Sequence, residues 1–189
     1  MRQLNSIQFS NSILCLLAVL LLLTTLFAEY ESQNVNLIGR WPYGDCRSVV
    51  SDGTLSFIGN GTVIEIIDIS DPTNPVKVGE HVTESIIAYL QVAGDYVYVA
   101  NWSDGFRVID VSNPSAPFEA AAINFEGQSW CVSVFNNYAY VGNGIDGLRI
   151  VDITDPTNPI LISTYIPGPD INVEYVQVVD SLAYVATQQ

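Results

Sequence analysis

Apolar and polar residues alternate in short runs along most of this chain, and the runs recur in register. "VIEIIDIS" (63–70), "GFRVIDVS" (105–112) and "GLRIVDIT" (147–154) align without a gap. So do "LSFIGN" (55–60), "VYVANW" (97–102) and "AYVGNG" (139–144). The runs are short, rich in Val, Ile, Tyr and Phe, and bounded by Gly, Asn, Asp or Pro. That composition reads as strands between turns. The pentapeptide "DPTNP" at 71–75 returns at 155–159, and "NPSAP" at 113–117 lies midway, 42 residues from each. A fourth copy begins at Tyr175, where "YVQVVDSLAYVA" matches "YLQVAGDYVYVA" from Tyr89 after two extra residues around "PGPDIN". Self-similarity at this period predicts a repeat architecture.

Each unit divides into four strands. "YLQVA" (89–93) is closed by the tight turn Gly94-Asp95, whose copies fall at Asp52-Gly53 and Asn136-Asn137. "YVYVA" (96–100) follows, then a polar loop, "NWSDG" at 101–105 and "NGIDG" at 143–147. The third strand is "FRVIDV" (106–111). After the DPTNP-type turn come the fourth strands "PVKVGEH" (75–81), "PFEAAAI" (117–123) and "PILISTY" (159–165). The side chains of Asp71, Asn113 and Asp155 can accept backbone hydrogen bonds, and the proline after each presets φ for a type I turn. The second proline cannot donate to a ladder, so it belongs at the start of an edge strand. The central strands are apolar on both faces, as expected of sheets stacked between two neighbours. The prediction is all-β: a β-propeller of four-stranded antiparallel blades, incomplete, with three full blades and part of a fourth. The blades span about 41–85, 86–130, 131–173 and 174–189.

These residues resemble the LVIVD repeat, named for its third-strand motif, which here reads "IIDI" (66–69), "VIDV" (108–111) and "IVDI" (150–153). The resemblance covers about residues 41–189. "VYVAN" is also similar to the YVTN surface-layer propeller repeat, a related alternative, whereas WD40 and Kelch signatures are missing. The resemblance implies a β-propeller in an often-exported protein. It brings no shared activity and no catalytic residues.

The N-terminus reads as a targeting segment. Arg2 precedes the apolar run "ILCLLAVLLLL" (13–23), with a small residue at Ala28. This predicts a secretory signal helix over 1–28, or an N-terminal anchor if uncleaved. Residues 29–40 form a lead-in, and "VNLIGRW" (35–41) resembles a fourth strand that would complete the ring. The chain stops after two strands of its last unit, so it is expected to be truncated at its C-terminus. The expected address is secreted or at the cell envelope.

Formal charge is −14, from 20 acidic and 6 basic side chains. That balance repels phosphate backbones, so nucleic acid is excluded as a partner. Partners are expected to be protein or carbohydrate at the cell surface, with self-association through open blade edges. A membrane contact would come only through an uncleaved N-terminal segment. Outside the signal, Cys46 and Cys131 occupy nearly equivalent places two units apart. They are expected to be too distant to bridge and to be buried free thiols.

Little in the sequence points to chemistry. Asp68, Asp110 and Asp152 recur at the end of the third strand and are assigned to backbone amides in the turn. Arg107 and Arg149 recur where the first unit has Glu65, and a salt bridge to a neighbouring blade is expected. Asp104 and Asp146 sit in polar loops beside Gly105 and Gly147. They are weak binding candidates that faintly echo calcium loops but lack the EF-hand ligand spacing. His81 is the only histidine, so neither a zinc cluster nor a catalytic triad can be assembled, and no cofactor is predicted. Most aromatics fall at repeated positions and read as packing. Trp102 and Trp130 do not: their counterparts are Asn60 and Gly144, and Cys46 and Ala88. A unit-specific aromatic near a loop can stack on a sugar or touch a protein. Asn60 and Asn101 open N-glycosylation sequons in loops expected to be exposed. Together these readings predict an exported, non-enzymatic binding or surface scaffold. The alternative is a propeller enzyme of hydrolase or lyase type, using the central channel, with active-site residues in blades not present here.

Overall fold

The computed structural model describes residues 46–189. The expected signal segment, the lead-in strand and the start of the first unit lie outside the described residues. β1 (Cys46–Asp52), β2 (Leu55–Asn60), β3 (Val63–Asp68) and β4 (Val76–Val82) form one sheet in sequence order. β5 (Tyr89–Ala93), β6 (Tyr96–Ala100), β7 (Phe106–Asp110) and β8 (Phe118–Ile123) form a second. β9 (Cys131–Phe135), β10 (Tyr138–Gly142), β11 (Leu148–Asp152) and β12 (Ile160–Tyr165) form a third. β13 (Asn172–Val179) and β14 (Leu182–Gln188) pair as the fourth. All neighbouring strands are antiparallel. No helix among the described residues is long and apolar enough to cross a membrane.

The local chemistry repeats with the period. Two-residue loops join the first two strands of every sheet, and their first residues have positive φ: Gly53 (57°), Gly94 (59°), Asn136 (52°) and Asp180 (54°). Gly, Asn and Asp reach that region with the least strain. In the first blade Asp52 pairs with Leu55, so the loop is Gly53-Thr54, one residue later than the sequence predicts. In the DPTNP-type turns the amides of Asn74, Ala116 and Asn158 donate to the carbonyls of Asp71, Asn113 and Asp155, each at 3.0 Å. The Asp71 and Asp155 carboxylates accept from the amides of Thr73 and Thr157 at 3.0 Å. Asp68, Asp110 and Asp152 accept from the amides of Ser70, Ser112 and Thr154 at 2.8, 2.9 and 2.8 Å. These bonds favour the ionised form. The Ser70 amide holds the Asp68 carboxyl below its ordinary value, and the hydroxyls of Thr73 and Thr154 do the same for Asp71 and Asp152.

The sheets bury their faces on one another. Phe57, Ile64 and Ile66 of the first blade pack on Leu90, Val97, Val99 and Ile109 of the second. Tyr98, Phe106 and Val108 of the second pack on Val132, Ala139, Val141 and Val151 of the third. Cys131 and Leu148 meet Val176 of the fourth sheet. Ile64, Ile66, Val97, Val99, Phe106 and Val108 are all 0% exposed. Burying each such side chain contributes about 1.5–3 kcal/mol, so these contacts hold the blades together.

The first strands converge. β1 touches β5, β5 touches β9 and β9 touches β13. Side chains stitch them in turn. The Leu90 amide donates to Ser48 Oγ at 3.0 Å, and the Val178 amide donates to Ser133 Oγ at 3.2 Å. The Gln91 amide group mimics a ladder rung, donating to the Val134 carbonyl at 3.3 Å and accepting from the Val134 amide at 2.7 Å. This radial arrangement, with the first strands innermost, is that of β-propeller blades. Apolar side chains in contact with solvent gather on the third and fourth sheets, among them Ile160, Ile162, Tyr165, Leu182 and Tyr184.

Candidate functional site

Repeated residues maintain the scaffold, so a residue that departs from its copies carries more information. The most informative place is the loop between second and third strands. In the second and third blades this loop has one backbone. The amides of Asn101 and Asn143 donate to the carbonyls of Gly105 and Gly147, both at 2.8 Å. Gly105 and Gly147 have φ of 84° and 85°. Asn101 and Asn143 are both 0% exposed. The Asn143 Nδ2 donates to the Glu126 carbonyl at 2.6 Å, and its Oδ1 accepts from Ser129 Oγ at 2.8 Å. The Asn101 side-chain amide faces the carbonyls of Ser85 and Ile86, and in the orientation that satisfies both of its ends its nitrogen donates to them at 2.8 and 3.1 Å. The expected exposure of the Asn101 sequon therefore fails, because that side chain fastens the loop to the segment leading into its own blade. Asn60 is half-buried at the tip of a tighter hairpin, 3.5 Å from Glu65 Oε2.

The tips of these loops bind the next blade. The amides of Ile87, Ser129 and Val173 donate to the carbonyls of Gly61, Trp102 and Gly144, each at 2.8 Å. Trp102 thus sits on a joint between blades, with φ of 39°, where the third blade has Gly144 at 57°. A bulky residue in that region costs on the order of 1 kcal/mol, and such strain gathers at functional positions. The strained backbone aims the indole at two neighbours. The Trp102 and Trp130 ring centroids are 4.4 Å apart with planes at 55°. Arg47 Cζ lies 5.7 Å from the Trp102 centroid, within cation–π reach. Arg47 on β1, Trp102 in the loop between β6 and β7, and Trp130 just before β9 form one column. The two tryptophans singled out by the sequence are therefore in contact, although 28 residues separate them.

Beyond Trp130 lies a recess of about 420 Å³, within the size range of ligand sites. Ser103, Gln128, Trp130, Ile145, Asn172 and Glu174 line it. Trp130 and Glu174 are repeat equivalents, whose copies are Cys46 and Ala88. Glu174 falls at a register shift in the β13–β14 ladder, and Arg47 at one in the β1–β2 ladder. Bulges of this kind re-aim side chains. Glycines make the space: a Cβ on Gly144 would lie 3.4 Å from Trp130 Nε1, and one on Gly127 would meet the Asp146 carboxylate.

The two loop aspartates stand apart from this column. Asp104 Oδ2 is 2.6 Å from Arg107 Nη2, and Arg107 Nε is 3.4 Å from Glu119 Oε2. The expected bridge between blades is thus a bridge within one blade, because Arg107 is buried and its partners lie on the adjoining loop and strand. Glu65 pairs with Lys77 at 2.9 Å from equivalent positions with the signs reversed. The third blade has Leu161 there. Arg149 donates to Thr164 Oγ1 at 2.9 Å and lies 5.7 Å from the Phe125 ring centre instead. Asp146 packs beneath Gly127. Among the described residues, no group of three or more His, Cys, Asp or Glu side chains could hold a metal ion.

A second aromatic pair faces the axis. The Tyr89 and Tyr175 centroids are 5.9 Å apart at 79°, with hydroxyls 3.5 Å apart. That contact, then burial, pushes the Tyr89 phenol up to about 12. Both tyrosines border an inner cleft of about 290 Å³ with Val49, Gln91, Ser133 and Gln177. Cys131, the repeat equivalent of both tyrosines, is buried, and burial pushes its thiol up to about 11. Cys46 is a free thiol too, but it is exposed where burial was expected: Cys131 begins β9, packed on the second and fourth sheets, whereas Cys46 begins β1, which among the described residues is packed only on the second.

Sequence reasoning missed Arg47, Gln128, Asn172 and Glu174. The signal for Glu174 was its alignment with Trp130, masked by the two-residue insertion before the fourth copy.

The LVIVD repeat matches residues 43–83, 88–124 and 126–166, more than half of the chain. No curated protein matches the sequence. The crystal structure of the computationally designed Ika4 protein is similar with a TM-score of 0.65 and 13% identity, over 82% of this chain and 98% of that one. That of the designed Ika8 protein is similar with a TM-score of 0.62 and 13% identity, over 74% of this chain and 42% of that one. At such identity the likeness concerns the fold alone.

Proposed function

The chain belongs to the LVIVD-repeat family, and we propose that it is an exported, non-enzymatic β-propeller that binds a surface partner, protein or carbohydrate, through blade-specific residues. The observation that carries this reading is Trp102, held at φ 39° against Trp130 where the equivalent loop uses glycine. Scaffold needs do not account for it, since the same loop backbone forms without the indole. The charge of −14 supports solubility outside the cell and disfavours phosphate-rich partners. The cationic and apolar start of the sequence supports export.

The test is binding of the exported, fluorescently labelled chain to intact cells of its own organism. Saturable binding is expected for the native chain. It should weaken by about tenfold or more in Trp102→Gly/Trp130→Ala, as loss of an aromatic anchor predicts, with an unchanged far-UV spectrum. Equal binding by the folded variant would remove the site from this reading.

A further inference from the structure

We infer that the recess beside Trp130 is a subsite for a neutral sugar ring, with the indole as its floor and Glu174, Asn172, Gln128 and Ser103 as its hydrogen-bonding rim. The inference rests on the binding function proposed above and names the ligand class for it. Three features point to this chemistry.

The first is shape. A hexose has one face of C–H bonds and an edge of hydroxyls, so its partner needs a flat apolar surface bordered by polar groups. Trp130 is half-buried and touches Trp102, with ring centroids 4.4 Å apart at 55°, and Trp102 in turn carries the Arg47 guanidinium. The column fixes the plane of the indole, which lowers the ordering cost of stacking a ring on it. Ile145, 53% exposed, extends the apolar floor.

The second is the donor and acceptor set. Glu174 only accepts, the Trp130 Nε1–H only donates, and Asn172, Gln128 and Ser103 do both. Hydroxyls also do both, so a mixed rim suits a polyol better than an ion. Among the described residues the Asn172, Gln128 and Glu174 side chains have no protein hydrogen-bond partner, and Ser103 Oγ meets only Ser85 Oγ, at 3.1 Å. These groups are therefore available to a ligand.

The third is charge. Glu174 at the rim and the acidic chain as a whole oppose anionic sugars. A quaternary ammonium group is the other ligand that indole and carboxylate could attract. The Arg47 guanidinium on the same aromatic column works against it, and the three neutral polar rim residues would find no partner in it.

The test uses tryptophan fluorescence of the exported chain, titrated with cellotetraose, chitotetraose, maltotetraose and mannotriose up to about 10 mM, the range of weak single-ring recognition. At least one of these should shift the emission saturably. Trp130→Ala should abolish binding. Glu174→Gln, an exposed and fold-neutral change, should weaken it by about tenfold, the size of one lost hydrogen bond to a charged acceptor. Tetragalacturonate and tetramethylammonium should not bind. The proposal is overturned if no neutral sugar binds, if binding survives Trp130→Ala, or if tetramethylammonium binds in preference. A parallel arm treats the cells of the preceding experiment with periodate or protease. Loss of attachment after periodate alone is expected. Loss after protease alone would overturn the sugar assignment and leave the binding function standing.

Discussion

The loops at 101–105 and 143–147 are one structure used twice. Both are closed by an Asn amide on a Gly carbonyl at 2.8 Å, and both end on a glycine near φ +85°. Their side chains are wired differently. In the second blade Asp104 holds the buried Arg107 at 2.6 Å. In the third, Asp146 lies under Gly127 while Arg149 rests on Phe125. The second blade places an indole where the third places no side chain at all. Backbone geometry therefore belongs to the repeat, and side-chain wiring belongs to the individual blade. The part of the molecule free to acquire a function is the part that varies over an unchanged backbone.

The sharpest way to break the shared part is to put a side chain on the closing glycines. A Cβ at Gly105 would lie 2.5 Å from the Ile123 carbonyl oxygen and 2.6 Å from the Phe125 nitrogen. One at Gly147 would meet the Tyr165 carbonyl. Positive φ adds to both. Gly105→Ala and Gly147→Ala should each cost about 3 kcal/mol in urea unfolding. Equal costs would show that the two loops share their mechanics; a cost below about 1 kcal/mol at either would show that its backbone is not fixed as described.

The next effect should split the loops apart. The Arg107 side chain is 6% exposed and that of Asp104 22%. Asp104→Ala leaves a buried guanidinium with the Glu119 carboxylate at 3.4 Å and the Phe106 carbonyl at 3.1 Å, and should cost about 2–3 kcal/mol. Asp146→Ala removes no ion pair to Arg149 and should cost less than about 1 kcal/mol. Double-mutant cycles should give coupling for Asp104 with Arg107 and almost none for Asp146 with Arg149. Equal coupling would mean that the third blade re-forms the bridge in solution.

The same division governs what could be read before the structure. The period, the strand runs and the Asp-Pro turns were legible because each is local chemistry: β-branched runs, a preset proline φ, a short acceptor side chain. The bulges opposite the third strands were not. Val78, Ala120 and Ile162 are each skipped in the ladder to the fourth strand. Nothing in those residue types marks them, because a bulge is a property of the pairing. The pairing of Arg107 with Glu119 was missed for the same reason: only the register reveals that 65 and 77 carry the same pair reversed. At the candidate site, Trp102 and Trp130 stood out against their copies. Arg47 and Glu174 did not, because each sits on a bulge and their side chains meet the site only through a local break in the repeat.

Exchanging the two residues that distinguish the loops should change stability by a small amount, and it is the most informative comparison. Trp102→Gly releases about 1 kcal/mol of left-handed strain. It also removes the contact with Trp130 and the cation–π contact with Arg47, worth about 0.5–1.5 and 0.5–1 kcal/mol. The net change should stay within about 1 kcal/mol, while recognition at the recess falls with the loss of its backing. Gly144→Trp runs the other way. It adds strain at φ 57° and crowds Trp130 Nε1, 3.4 Å from the new Cβ, so it should cost about 1–2 kcal/mol and close the recess. The comparison turns on the first variant. If Trp102→Gly unfolded the chain by more than about 3 kcal/mol, the indole would be a core residue by the usual measure of large-to-small changes. It would then be explained by packing between blades, and the strained tryptophan would no longer argue for a ligand.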